Sequence, residues 1–254
     1  GLHQIQTGRA VRDLCRKAAD LCLRTGYDLL SGQQVGHGIA LEAVHDHVLE
    51  RDGDRHIHGV GAMLAIAGTV IAIVYAALYG TAISVVSASL YGASLIILYM
   101  ASTLYHSITN KTAKKVFQIF DHCSIFILIL GSYIPICLTL LGGALGWTFF
   151  GINAGCTVLG VVLNSIDMKK FKTFSMIAYI IMGWSVVFFF KPLIGKLDVN
   201  GLYLLVAGGI AYTVGVIFYK LKNVKYMHYI WHLCVLAGSA FQFFCILFYI
   251  LPNK

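Results

Sequence analysis

Two histidines, His228 and His232, stand four residues apart at the head of a long apolar run, in Tyr226-Met-His228-Tyr-Ile-Trp-His232. At 3.6 residues per turn, this spacing stacks both imidazoles on one helix face. Two ring nitrogens placed that way can grip one transition metal. Alone, such a pair equally fits two amphipathic rings at a membrane interface. A second stretch, Ser102-Thr-Leu-Tyr-His106, followed by Asp121, adds a third imidazole and a carboxylate. Three imidazoles, from His106, His228 and His232, plus a water make a four-coordinate zinc site with one open position. Asp121 would hold that water as general base or orienting group, and Ser102 would donate to a substrate carbonyl or to the water. The expected chemistry is a metal-assisted hydrolysis with Asp121 and Ser102 as its catalytic residues. No organic cofactor site is read from the chain.

The elements that must position these groups are membrane spans. The chain has 254 residues, 58% of them hydrophobic and 12% charged, with mean hydropathy +0.78. A soluble domain is about a quarter charged, so the solvent here is mostly lipid. Seven apolar runs follow one another: Val60–Tyr79, Ile83–Tyr105, Val116–Leu141, Ala144–Leu163, Phe174–Phe190, Leu202–Tyr219 and His228–Leu251. Each is near the roughly 17–25 residues that a helix needs to cross the hydrocarbon. Barrel strands would be about half as long and would alternate polar with apolar residues. The expected fold is therefore an all-α membrane protein, a seven-transmembrane helix bundle, multi-pass in the cell membrane. Gly80-Thr81-Ala82 is a very short break between the first two spans. Pro135 should kink the third, with Ser132 or a neighbouring helix satisfying the carbonyl it frees. Tyr and Trp gather near the run ends, as interfacial belts do. Five of the seven cysteines (Cys123, Cys137, Cys156, Cys234 and Cys245) lie in apolar runs and read as small hydrophobes.

Lysine placement orients the bundle. On one side fall Lys111, Lys114, Lys115, Lys169, Lys170, Lys172, Lys220, Lys222 and Lys225; on the other fall Lys191, Lys196 and Lys254. Nine against three makes the first side cytoplasmic, with the N-terminus inside and the C-terminus outside. Ser102, His106, Asp121, His228 and His232 then share one depth, within about two helical turns of the cytoplasmic interface. Spans two, three and seven need only be neighbours for these residues to meet. Asp121 is the one acid within a span, and an ionisable group there needs a partner or a use. The plainer readings are that Asp121 pairs with Lys114 or Lys115, that Ser102 bonds its own helix backbone, and that His106 is interfacial. His122 points about 100° away from Asp121 and reads as structural.

Residues 1–58 differ in kind. They carry six Arg and one Lys against eight acids, whereas residues 59–254 carry twelve Lys, no Arg and three Asp. The chain thus divides into a polar N-terminal segment, 1–58, and a transmembrane domain, 59–254. An appended leader, a misassigned start and a genuine cytosolic extension all fit the first part. Val11, Leu14, Cys15, Ala18, Leu21 and Cys22 keep helical spacing there. His45 and His47, two residues apart, would diverge on a helix and are not read as ligands.

The order Ser-x-x-x-His, an Asp fifteen residues on, seven spans and a closing His-x-x-x-His resembles the hemolysin III family, in its bacterial branch. That family belongs with the progestin and adipoQ receptors and is similar to the alkaline ceramidases. The resemblance covers residues 58 to about 251, with Val116-Phe-Gln-Ile-Phe-Asp-His-Cys-Ser and His58-Gly59-Val60-Gly61 as further points of likeness. It implies zinc held by His106, His228 and His232, with Asp121 holding the zinc water and Ser102 beside it. A Glu and an Asn usually precede the first-motif His, where this chain has Arg51 and Asp54. The expected function is zinc-dependent hydrolysis of a lipid amide or ester in membrane homeostasis. The alternatives are a cytolytic, pore-related protein and a receptor-like sensor with a structural zinc. The expected partners are membrane lipids, including a lipid substrate; neither a nucleic acid nor a protein partner is read from the chain. A reporter fused after Lys254 should read outside the cell and one in the Lys220–Lys225 loop inside; a cytoplasmic C-terminus in that assay would overturn the seven-span reading.

Overall fold

The long apolar runs become helices because no other structure satisfies backbone polar groups in a medium without water. The computed structural model describes Gly53, Asp54, residues 56–221, Val224 and residues 226–252. The N-terminal helix periodicity, His45 and His47 lie outside these residues, as do Lys222, Lys225 and Lys254. Among the described residues, six helical stretches are long and apolar enough to cross a membrane: His56–Tyr79, Ala82–Ser107, Lys111–Leu141, Gly143–Ile194, Val199–Lys220 and Met227–Ile250. We label the helices α1 (His56–Tyr79), α2 (Ala82–Ser107), α3 (Lys111–Ile134), α4 (Gly143–Gly183), α5 (Phe190–Ile194), α6 (Val199–Lys220) and α7 (Met227–Cys245). Their outward faces stay apolar: Met63 is 65% exposed, Ile166 72% and Phe188 83%. A water-facing surface does not carry such a belt.

Each boundary has a local cause. The short break after α1 works because Thr81 and Ser84 form a capping box, each side chain accepting the other's backbone N–H. Asn110 caps α3 by accepting from the N–H groups of Thr112 and Ala113, which begins that helix ahead of its apolar run. Asp198 caps α6. Pro135 opens a π-helical turn, Pro135–Leu141, at the end of α3. Ser132 donates to the Ile129 carbonyl at 2.8 Å, not to the one that the proline frees. The last carbonyls of that turn, on Leu140 and Leu141, accept from Lys196 Nζ at 3.2 and 2.8 Å. The five cysteines expected in apolar runs are free thiols.

The fourth stretch differs most from expectation. Spans Ala144–Leu163 and Phe174–Phe190 were expected with a lysine loop between them; the structure runs helical hydrogen bonding through Lys169, Lys170 and Lys172, with one non-helical residue, Asp167 (φ −153°, ψ 90°). Asp167 Oδ1 accepts from the Lys170 N–H, so it caps the second half of the stretch. A straight helix over 52 residues would be about 78 Å long, far beyond a hydrocarbon core of about 30 Å. It is not straight. Ser175 donates to Asn164 Oδ1 at 2.7 Å and Ser185 to Asn153 Oδ1 at 3.4 Å. Pairs eleven and thirty-two residues apart can meet only if the chain doubles back at Asp167.

Packing of α7, which carries two of the histidines, depends on α6. Gly201, Gly208 and Gly215 recur every seventh residue on α6, and a Cβ on them would come within 2.8 Å of Tyr249, 2.8 Å of Gln242 and 3.0 Å of Trp231 and Cys234. Small residues at this spacing let two membrane helices approach along their length. A buried polar junction then ties three helices: Tyr99 of α2 and Tyr212 of α6 both reach Ser239 of α7 at 2.9 Å. Gly208→Leu should separate α6 from α7 and lower the thermal midpoint in detergent by several degrees. The same change at Gly155, whose Cβ would meet nothing within 4 Å, should leave it unchanged.

Candidate metal centre

His106 sits in the last turn of α2, and His228 and His232 in the first turns of α7. A fourth group joins them from outside the apolar runs: Asp54, helical at the head of α1 and 3% exposed. Its carboxylate oxygens lie 3.6 Å from His106 Nδ1, 3.8 Å from His228 Nε2 and 3.9 Å from His232 Nε2. The Nε2 atoms of His228 and His232 are 3.0 Å apart. One ligand atom from each of the four residues lies within 4.8 Å of the others. Ligands about 2.1 Å from one tetrahedral ion would be roughly 3.4 Å apart, so the set is close to that spacing. The donors suit a divalent first-row metal, three imidazole nitrogens and one carboxylate oxygen. The residues present therefore could hold a metal.

His58 supports the cluster from behind. Its Nε2 is 2.7 Å from His232 Nδ1. With the Nδ1–H of His232 donating to His58, the Nε2 lone pair of His232 faces the other ligand atoms. That is the usual way an outer partner fixes a metal-binding imidazole. Asp54 and His58 are four residues apart and share a face at the head of α1. The chain enters the second helix of the cluster through Tyr226, whose φ of 63° is the left-handed region that a bulky residue rarely adopts.

The residues singled out in sequence are thus brought together only in part. His106, His228 and His232 meet. Asp121 and Ser102 stand beside the cluster, not in it. Ser102 of α2 and Asp121 of α3 line one cavity. No lysine lies within ion-pair distance of Asp121 among the described residues; its neighbour His122 does, at 3.9 Å. His122 Nδ1 donates to its own helix at the Gln118 carbonyl, 2.9 Å away, and takes no place in the cluster. The cluster joins the approach to α1 with α2 and α7, where spans two, three and seven were expected to meet. Two cavities border it. One, of about 160 Å³, has walls that include His58, Ser102, Asp121 and His232 and continues between apolar side chains to Ile136 and Leu193. The second, about 110 Å³, shares Asp121, Trp231 and His232 with the first.

A multi-pass membrane protein with a buried His/Asp cluster at one end of its helices is the class these features define. The chain matches the haemolysin-III related family over residues 54–243. It is 45% identical to Hemolysin-3 of Bacillus cereus over 196 residues, which cover 77% of this chain and 90% of that protein. It is 44% identical to the Hemolysin-3 homolog of Bacillus subtilis (strain 168), over 76% of this chain and 90% of that one. A more distant likeness, 28% over 165 residues, covers 60% of this chain and 65% of the monocyte to macrophage differentiation factor of Homo sapiens. No solved structure matches. The chain belongs to the haemolysin-III related family, and the distant human match fits the wider progestin and adipoQ receptor superfamily.

Asp54 is the site residue that sequence reasoning missed. It lies among eight acids in a polar segment, where carboxylates are ordinary, and it stands out there only as a departure from the family pattern. The signal that could have found it is its i, i+4 spacing to His58. Metal analysis of the purified protein should find about one divalent ion per chain, lost in His232→Ala and strongly weakened in Asp54→Ala and His228→Ala. His122→Ala should keep it; equal metal in all four variants would remove the cluster from consideration.

Proposed function

We propose that this protein is a zinc-dependent membrane hydrolase acting on a lipid ester or amide, with zinc held by Asp54, His106, His228 and His232. The observation that carries the reading is that the cluster borders an apolar cavity with Asp121 and Ser102 on the same wall. When bound, zinc supplies Lewis acidity toward a carbonyl oxygen and toward water at neutral pH. The residues do the rest. The apolar cavity holds an acyl chain and keeps water from it. Asp121 takes the proton of the attacking water and returns it to the leaving group. Ser102, by donating to Asp121, keeps its carboxylate turned toward the cluster. His58 keeps His232 in the tautomer that presents Nε2.

The proposed topology is seven crossings, with the doubled-back Gly143–Ile194 stretch supplying two of them. The N-terminus is cytoplasmic, in keeping with the lysine distribution. This places the cluster near the cytoplasmic face. Membrane lipids are the partners in this reading, and the physiological role is maintenance of the bilayer.

One observation favours a second reading. Asp54 brings a fourth protein ligand, and closed four-ligand sets are usual in structural zinc sites. In that reading the metal staples α1, α2 and α7, and the protein acts as a receptor-like sensor. Asp121→Ala separates the two. A hydrolase should keep its zinc and lose turnover of ceramide-like or phospholipid substrates in liposomes by about 10²–10⁴. A staple should keep zinc, thermal stability and cellular effect alike. Failure of the wild type to release product from any lipid class, with zinc bound, would reject the hydrolase.

A further inference from the structure

The smaller cavity is built differently from the apolar one. Lys172 lines it, half-buried, while Lys169 and Lys170 beside it in sequence are exposed. Lys172 Nζ lies 5.3 Å over the Tyr219 ring, at the end of α6. It forms no ion pair with a carboxylate among the described residues. Its stem is packed on the cavity wall and its ammonium group brings a positive charge there. Deeper on the same wall is Asn164, 1% exposed. Its Oδ1 accepts from Ser175, and its Nδ2 is buried with no hydrogen-bond partner. The Tyr179 hydroxyl, on the same wall, donates to the His122 carbonyl at 2.8 Å, and its oxygen remains able to accept. A cation and an unmet amide donor therefore line one cavity. Among the described residues that line it, Asp121 is the one acid, and an anion would sit away from it, toward Lys172.

We infer that this cavity is an anion pocket that takes the phosphate of a glycerophospholipid head group through Lys172 and Asn164. Lysine is a common point-charge binder of phosphate, and an amide N–H adds direction. The inference rests on the hydrolase reading for the rest of the ligand. The acyl chain lies in the apolar cavity, the scissile carbonyl at the cluster, and the head group in the second cavity. Asp121, Trp231 and His232, shared by both walls, mark where the two halves join. It narrows the substrate from lipid esters and amides in general to phosphate-bearing ones.

The test uses the full chain, zinc-loaded, in detergent micelles. Binding of dihexanoyl phosphatidylglycerol and of the neutral dihexanoylglycerol is measured by calorimetry. The phospholipid should bind the wild type more tightly, and Lys172→Gln should weaken it about tenfold, or 1.4 kcal/mol, with the neutral lipid unchanged. Lys169→Gln should alter neither. Asn164→Asp, which brings a negative charge to the wall, should weaken the phospholipid in the same direction. Inorganic phosphate should compete with the phospholipid. Equal wild-type affinity for the two lipids overturns the inference, as does an unchanged phospholipid affinity in Lys172→Gln with its thermal midpoint intact. Free phosphate binding without preference for the phospholipid overturns the lipid source. Hydrolysis of a neutral lipid with no dependence on Lys172 would sink this pocket and leave the hydrolase standing. Binding dependent on Lys172 without turnover of any lipid would do the reverse.

Discussion

A carboxylate and three imidazoles gathered at one end of a membrane helix bundle form the constraint on which the rest of the bundle depends. Asp54 is nearly sealed from solvent, at 3% exposure, and a charge so placed is costly unless it is compensated. The compensation must come from groups on different helices, because no single helix presents four converging side chains. The approach to α1, the end of α2 and the start of α7 are therefore fixed in relative position by chemistry as well as by packing. A divalent cation would offset the charge in full, whereas the imidazoles do so only in their protonated forms.

Much of this was legible in the sequence because lipid imposes simple rules. The runs Val60–Tyr79, Ile83–Tyr105 and Leu202–Tyr219 announce helices by length alone. His228 and His232 stood out because imidazoles are few in an apolar run and their spacing is helical. Asp54 did not, since its segment is polar throughout and only the fold turns it inward. The joint at Asp167 was legible as the polar break between two apolar runs. Its form was not, since the lysines there are good helix formers and helical hydrogen bonding continues on either side of one residue. Pro135 was legible as a disturbance, but its result, a widened turn with Ser132 serving another carbonyl, depends on the surrounding packing.

Two cavities border the cluster, one apolar and one with a lysine on its wall. Asp121 and Ser102 lie where these spaces meet. In this way α2 carries His106 of the cluster and Ser102 of the cavity wall within little more than one turn. A small rotation of α2 would move both together.

Lys196 bears on how the chain settles in its bilayer. Its ammonium group is spent on the final carbonyls of the third stretch, at Leu140 and Leu141, where a helix end carries about half a negative charge. A cation engaged in that way is partly neutralised and exerts less pull on anionic head groups. Among the described residues of its face, Lys191 alone then remains to compete for the acidic leaflet. In the proposed topology, the lysine asymmetry that would set the insertion sense is correspondingly larger than a plain tally of lysines conveys.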